Sequence, residues 1–226
     1  MSTTAVTAPA PGALEGVRVL DLTSVVMGPY ATQWLGDLGA DVVKIEPPEG
    51  DVMRLSGPMK SARMGHFFLT TNRNKRSVVI DLKQSAGREL LLDLVKTADV
   101  LVYNIRPRAM QRLGLGYEVL SGVNPRLIVV GGIGFGQRGP YADRPAYDDL
   151  IQGMSALPAL GAAAGGGEPR YAPMVLADRI GGLQMALAVT AALVHRARTG
   201  RGQRIDVPMF EGIASIVLGE HLAGRQ

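Results

Sequence analysis

Short β-branched runs alternate with helix-like segments along almost the whole chain, and this alternation leaves few folds open. Val17–Leu22 (VRVLDL), Asp41–Glu46 (DVVKIE), Ser77–Leu82 (SVVIDL), Asp99–Ile105 (DVLVYNI), Leu127–Gly132 (LIVVGG) and Gln203–Pro208 read as strands. Tyr30–Leu38, between Pro29 and Gly39, reads as a helix, since Pro suits the first turn and Gly the position past the last. Further helices are expected from Ser85, as cap, through Ala98, and over Ala109–Leu113, Tyr117–Val123, Ala146–Leu157, Asp178–Arg198 and Phe210–Leu222. Strands alternating with helices predict an α/β domain, a mostly parallel sheet with helices on both faces. Gly161–Gly167 (GAAAGGG) reads as a flexible loop and residues 1–13 as a flexible tail. Residues 14–226 show no repeat and no internal boundary.

Composition narrows the chemistry. The 226 residues include no Cys and three His, which disfavours disulfides, thiolate metal sites and cysteine catalysis. No metal is expected. Twenty-four Lys and Arg against 20 Asp and Glu give +4, a mild excess that suits an anionic ligand as well as nucleic acid and decides nothing alone. Aromatic residues make up 5% and do not interleave with the charge, so a nucleic-acid platform is not expected. The most apolar stretch, Ile180–Val194, is interrupted by Gln184 and Thr190. It is shorter than the ~20 residues that span a bilayer, which predicts a buried helix and a cytoplasmic protein with no membrane partner.

In open parallel sheets, ligands gather at the carboxyl ends of the strands. The loops to inspect are Thr23–Pro29, Glu46–Arg54, Asn104–Arg112, Gly131–Asp148 and Ala172–Asp178. The first, TSVVMGPY, leads into a helix N-terminus suited to an anion, but it lacks the G-x-G-x-x-G dinucleotide fingerprint. Three basic clusters, Asn72–Arg76, Arg106–Arg112 and His195–Arg204, fit either phosphate contacts or a solvated face. Asp178 reads as a helix N-cap, and also as a carboxylate kept ionised by helix N–H groups and able to act as a nucleophile. Gly181 and Gly182 each cost ~1 kcal/mol of helix stability relative to Ala, which points to close approach by a ligand or another backbone. Asp148 and Asp149 complement a helix start, and Asp148 could line a pocket opposite Asp178.

Five ordered blocks carry a resemblance: residues 14–51, 72–83 (NRNKRSVVIDLK), 98–118, 125–148 and 176–212 (LADRIGGLQ…VPMFEG). Together they resemble the class III CoA-transferases, a family that includes formyl-CoA and carnitine CoA-transferases and α-methylacyl-CoA racemases. The resemblance implies a Rossmann-like large domain and transfer of coenzyme A between an acyl-CoA and a carboxylic acid. Asp178 matches the family's nucleophile, which forms aspartyl anhydride and thioester intermediates, and Asp148 is an assisting acid. CoA, a substrate rather than a permanent cofactor, would be held by Val26, Met27, Ile80, Asp81, Leu82, Lys83, Asn104, Ile105, Arg106, Arg112 and Met209, with Arg54 a further phosphate contact.

Four departures qualify that pattern. Ser24 and Val26 replace a His or Gln of formyl-CoA transferases, and Pro47 replaces an Arg. Tyr147 replaces the racemases' His, which favours transfer over racemisation. The chain is about half a typical member's length, so the small domain and the C-terminal return to the large one are expected to be absent. The family implies an interlocked homodimer, or here a C-terminal partner chain. An incomplete, non-catalytic CoA-binding homologue and a 2-methylacyl-CoA racemase are the competing readings.

Overall fold

The computed structural model describes residues 11–221. Six strands form one parallel sheet: β1 (Arg18–Leu22), β2 (Asp41–Glu46), β3 (Lys75–Val79), β4 (Val100–Tyr103), β5 (Ile128–Ile133) and β6 (Arg204–Pro208). Their order is β3-β2-β1-β4-β5-β6. Strand order reverses between β1 and β4, so the connections leaving these neighbours run in opposite directions and open a crevice at their carboxyl ends.

The helices are α1 (Met27–Asp37), α2 (His66–Thr71), α3 (Ser85–Val95), α4 (Pro107–Arg112), α5 (Tyr117–Val123), α6 (Asp148–Met154), α7 (Leu157–Gly165), α8 (Leu176–Thr199) and α9 (Met209–Leu218). Successive strand residues face opposite sides of the sheet. Val19, Val100, Val102, Ile128 and Val130 pack against α1, α8 and α9 on one side. Leu20, Leu101, Tyr103 and Val129 pack against Leu91 and Val95 of α3, Met110 of α4 and Leu120 of α5 on the other. Burial on both faces explains why these strands read as continuous apolar runs.

Gly181 and Gly182 let α1 cross α8 closely. A Cβ on Gly182 would lie 2.7 Å from the Met27 carbonyl oxygen, and one on Gly181 would lie 2.8 Å from Met27 Cε. The approaching group is therefore another backbone, one of the two expected alternatives. α8 is long and apolar enough to cross a membrane by length and composition, yet its inner face, including Met185, Val189 and Ala192, belongs to the core.

Several local expectations need correction. β3 begins at Lys75, two residues before the expected Ser77, because its register pairs Lys75 with Val42 and Val79 with Glu46. Residues 161–165 are helical within α7 rather than loop; Pro158 in the first turn and the Ala162–Ala164 run favour helix, and Gly166 follows at φ 74°. Ser85 caps nothing, since Gln84 holds the N-cap position without a side-chain bond. α8 starts at Leu176 after Val175, so Asp178 is its third residue and not its N-cap. The sequence reading contained neither α2 nor the 3₁₀ turn Val52–Leu55. Residues 1–10 of the expected tail, and Leu222 of the last expected helix, lie outside the described residues.

Candidate active site

The site begins with the loop that leaves β1. Asn104, just past β4, grips this loop at Ser24: its Oδ1 accepts from the Ser24 N–H at 3.0 Å and its Nδ2 donates to the Ser24 carbonyl at 2.8 Å. On the other side, Lys44 Nζ donates to the Thr23 carbonyl at 2.8 Å. Asp51 Oδ1 accepts from the N–H groups of Val25 (3.3 Å) and Met53 (3.0 Å). Below the loop, Asp21 accepts from the hydroxyls of Thr23 and Thr32 and from Lys75 Nζ at 3.0 Å. Burial raises the Asp21 carboxyl, but Lys75, Lys44 and the two hydroxyls outweigh it and hold it at about 2.

Asp178 has the opposite surroundings. It sits in the first turn of α8, only 9% exposed, facing the start of α1. Asp148, from α6, accepts from the Asp178 backbone N–H at 2.9 Å and so satisfies one of α8's free amides across helices. Gln152 fixes Asp148 by donating to its Oδ2 at 2.5 Å, while Gln152 Oε1 accepts from the Ala172 N–H at 2.9 Å. Burial, and then the Asp148 charge, push the Asp178 carboxyl up to about 7, against the opposing pull of Arg179 and the Met27 N–H. The expectation that helix N–H groups would keep Asp178 ionised is thus corrected, because desolvation and a second carboxylate outweigh them.

Asp178 forms part of the wall of a cleft of about 220 Å³, which also takes in Ser24, Met27, Asn104, Ile105, Arg106 and Met209. A neighbouring cavity of about 350 Å³, mostly apolar, is lined by Ile80, Asp81, Leu82 and Lys83, and shares Ser24 and Ile105 with the cleft. The two hollows adjoin across the carboxyl ends of β1, β2 and β4. Residues from all five loops singled out in the sequence line one hollow or the other.

Other expected contacts fall elsewhere. Val26 is buried at the N-cap of α1, and its neighbours Val25 and Met27 line the cleft instead. Arg112 is exposed at the end of α4 and lines neither hollow. Arg54 is bidentate to Glu46, with both bonds at 2.7 Å, and lies over the Phe68 ring, where it braces the loop after β2. Two basic clusters are drawn into internal pairs: Arg73 with Asp37, Lys75 with Asp21, Arg76 with Asp41, Arg196 with Asp99, and Arg204 with Asp206. Lys44, Asp51 and Gln152 escaped the sequence reading. Lys44 and Gln152 are polar residues within a strand and a helix, where the local pattern gives no sign that they are buried. Among the described residues, no group of three potential ligands could hold a metal.

The structure is thus a parallel α/β sheet with two adjoining hollows at its strand ends and a buried carboxyl in the wall of one of them. The chain belongs to CoA-transferase family III, whose model matches residues 14–224. It is 44% identical to an acetyl-CoA:oxalate CoA-transferase of Acetobacter aceti over 89% of this chain and 52% of that protein. It is 40% identical to a succinate–glutarate CoA-transferase of Agrobacterium fabrum, covering 92% and 54%. A succinyl-CoA–L-malate CoA-transferase beta subunit of Chloroflexus aurantiacus is 38% identical, covering 88% and 50%. The crystal structure of a CAIB/BAIF family protein from Brucella suis superposes with a TM-score of 0.87 at 37% identity, over 96% of this chain and 59% of that one. The chain spans about half the length of the curated relatives it matches.

Proposed function

We propose that this chain carries the nucleophile and most of the CoA site of an acyl-CoA:carboxylate CoA-transferase. The observation that carries the reading is the placement of Asp178: a buried carboxyl in the wall of a cleft that adjoins a mostly apolar cavity and shares Ser24 and Ile105 with it. An Asp178 carboxylate oxygen attacks the thioester carbonyl, the C–S bond breaks, and CoA thiolate leaves behind a mixed anhydride. The thiolate then attacks Cγ of Asp178, which expels the donor acid as its carboxylate and forms an aspartyl-CoA thioester. An acceptor carboxylate attacks the same carbon, thiolate leaves again, and its attack on the acceptor's acyl carbon frees Asp178 and the new acyl-CoA. One difficult exchange becomes four easier displacements.

In this reading Ile80–Lys83 and Ile105 hold the nucleotide end of CoA, Asn104 and Arg106 the middle, and Met27 and Met209 flank the thioester. Partner-chain assembly belongs to the same proposal, as a homodimer or with a C-terminal chain, because α8 turns Leu183, Leu187 and Val194 outward. Intact-protein mass spectrometry after incubation with a panel of acyl-CoAs tests the chemistry. The expected result is a hydroxylamine-sensitive mass increase in the wild type and none in Asp178→Ala; no adduct in either folded protein contradicts it.

A second reading has one observation in its favour. A carboxyl titrating near 7 is also suited to proton exchange at neutral pH. Deuterium incorporation at the α-carbon of a 2-methylacyl-CoA in heavy water would support the racemase reading, and its absence alongside an adduct supports transfer.

A further inference from the structure

Arg144, in the loop between β5 and α6, lines the cleft that holds Asp178. It is a cation without a partner: its guanidinium makes no hydrogen bond and no ion pair among the described residues. Its sequence neighbour Asp143 is taken by Arg108 at 2.8 Å. Asp149 Oδ1 accepts from the Leu150 N–H, and Asp148 is held by Gln152 and the Asp178 N–H. The CoA reading places Arg106 against the middle of that ligand and leaves Arg144 without a role.

Arg144 also lines a further hollow, of about 290 Å³, which shares Arg144 and Pro145 with the cleft. Its other walls are aromatic or aliphatic: Phe135, Tyr141, Leu150 and Met154. Phe135 is buried, and its ring centroid lies 5.5 Å from that of Tyr141. Tyr141, Leu150 and Met154 stay exposed while converging on one place, unlike apolar residues scattered singly over a surface. Helical spacing lets the short α6 serve both places. Asp148 and Gln152, four apart, share the face turned to Asp178, whereas Leu150 and Met154, also four apart, share the opposite face.

We propose that this hollow takes the apolar body of a carboxylic acid substrate, an aryl-substituted or branched acid, whose carboxylate pairs with Arg144 at the border with the Asp178 cleft. Charge complementarity selects this occupant. An acid entering the cleft approaches two carboxyl groups, Asp148 and Asp178, and the free Arg144 guanidinium offsets their repulsion while matching a carboxylate bidentately. The volume lies close to the ~300 Å³ at which small-ligand pockets begin, which suits a ring or a branched chain. That the acid is a substrate rests on the CoA-transfer reading; that it binds at Arg144 does not.

NMR of protein labelled with ¹³C at the methionine methyls reads this site directly, with the Met154 signal assigned from Met154→Leu. Titration with 3-phenylpropionate should move the Met154 methyl saturably. The neutral 3-phenylpropanamide keeps the ring and loses the charge, and should bind about tenfold more weakly, as for loss of a hydrogen bond to a charged group. Succinate, with two carboxylates and no apolar body, should leave Met154 unmoved. Arg144→Gln, at an exposed loop position, should weaken the acid to the level of the amide and leave the amide unchanged. A Met154 signal unmoved by the acid overturns the inference and leaves the hollow to be covered by another chain. Equal affinity of acid and amide in the wild type overturns it too, as does unchanged acid binding in Arg144→Gln or tighter binding of succinate at Met154. On adduct-bearing wild type, 3-phenylpropionate should discharge Asp178 faster than equal succinate, and slower discharge overturns the substrate claim. The binding measurements need no adduct, so the two proposals fail separately.

Discussion

Two buried acids at the carboxyl end of the same sheet have opposite fates. Asp21, beneath the β1 loop, is fully buried beside Lys75 and two threonine hydroxyls and titrates at about 2. Asp178, at the start of α8, is nearly as buried but faces another carboxylate, and titrates at about 7. Burial is common to both, so the partner decides the sign. Asp21 is fixed as an anion that ties strands to α1. Among the described residues Asp178 meets Arg179 but no buried lysine, and its carboxyl is left part-protonated near neutral pH.

The sharpest way to break the contrast is to remove each acid's distinctive feature. Asp178→Asn should abolish acyl adduct formation, read by mass spectrometry, while leaving the fold intact. Lys75→Met removes the salt-bridge partner of Asp21, leaving only Lys44 and the two hydroxyls, and should cost about 3 kcal/mol in denaturant unfolding. A loss under 1 kcal/mol would mean that the two acids are less different than their surroundings suggest.

Linkage gives the next effect, with opposite signs at the two acids. The Asp178 value lies above the unfolded 3.8, so the native state binds the extra proton between about pH 4 and 7, and stability falls as pH rises through that window. Asp178→Asn removes this penalty. It should stabilise the protein at pH 8 by one to a few kcal/mol, with ~4 as the ceiling for a shift of about three units, and by little near pH 4. Asp21 behaves oppositely: its contribution is present above its unfolded value and is lost only as pH falls through about 2.

Smaller effects sharpen the geometry. Gly182→Ala forces a Cβ against the Met27 carbonyl oxygen and should destabilise by about 1–2 kcal/mol, even after the gain in helix propensity. Gly161→Ala, in α7 with open space around it, should stabilise by up to about 1 kcal/mol. Asp148→Asn removes the charge facing Asp178 while keeping an acceptor for its N–H, so adduct formation at pH 6 should rise several-fold as more Asp178 ionises.

Much of this was legible in the sequence because it is local. DVVKIE and YEVLSGV gave β2 and α5 their observed bounds, and the Gly181-Gly182 pair announced a close backbone approach that the α1–α8 crossing supplies. The chain's alternating pattern was enough to predict the parallel sheet and the loops at its carboxyl edge. The misreadings share one cause, tertiary partners that no local pattern shows. Lys75 looks like a loop residue until Asp21 buries it, and β3 accordingly starts two residues before the SVVIDL pattern. Asp178 looks like a helix cap until α1 and α6 close over it, and its raised carboxyl follows from that burial first and then from the charge of Asp148, thirty residues away. The Ala-rich start of GAAAGGG outweighed its glycines, so α7 runs through Gly165.

The most direct test of the account titrates both acids in one sample. In wild-type protein labelled with ¹³C at Asp carboxyls, Asp178 and Asp21 are assigned from their Asn variants and followed from acid to neutral pH. The account requires Asp178 to titrate at about 7 while Asp21 remains ionised down to about 2. An Asp178 midpoint at or below its ordinary value of 3.8 would contradict it, because Asp178 would then be a capping anion like any other.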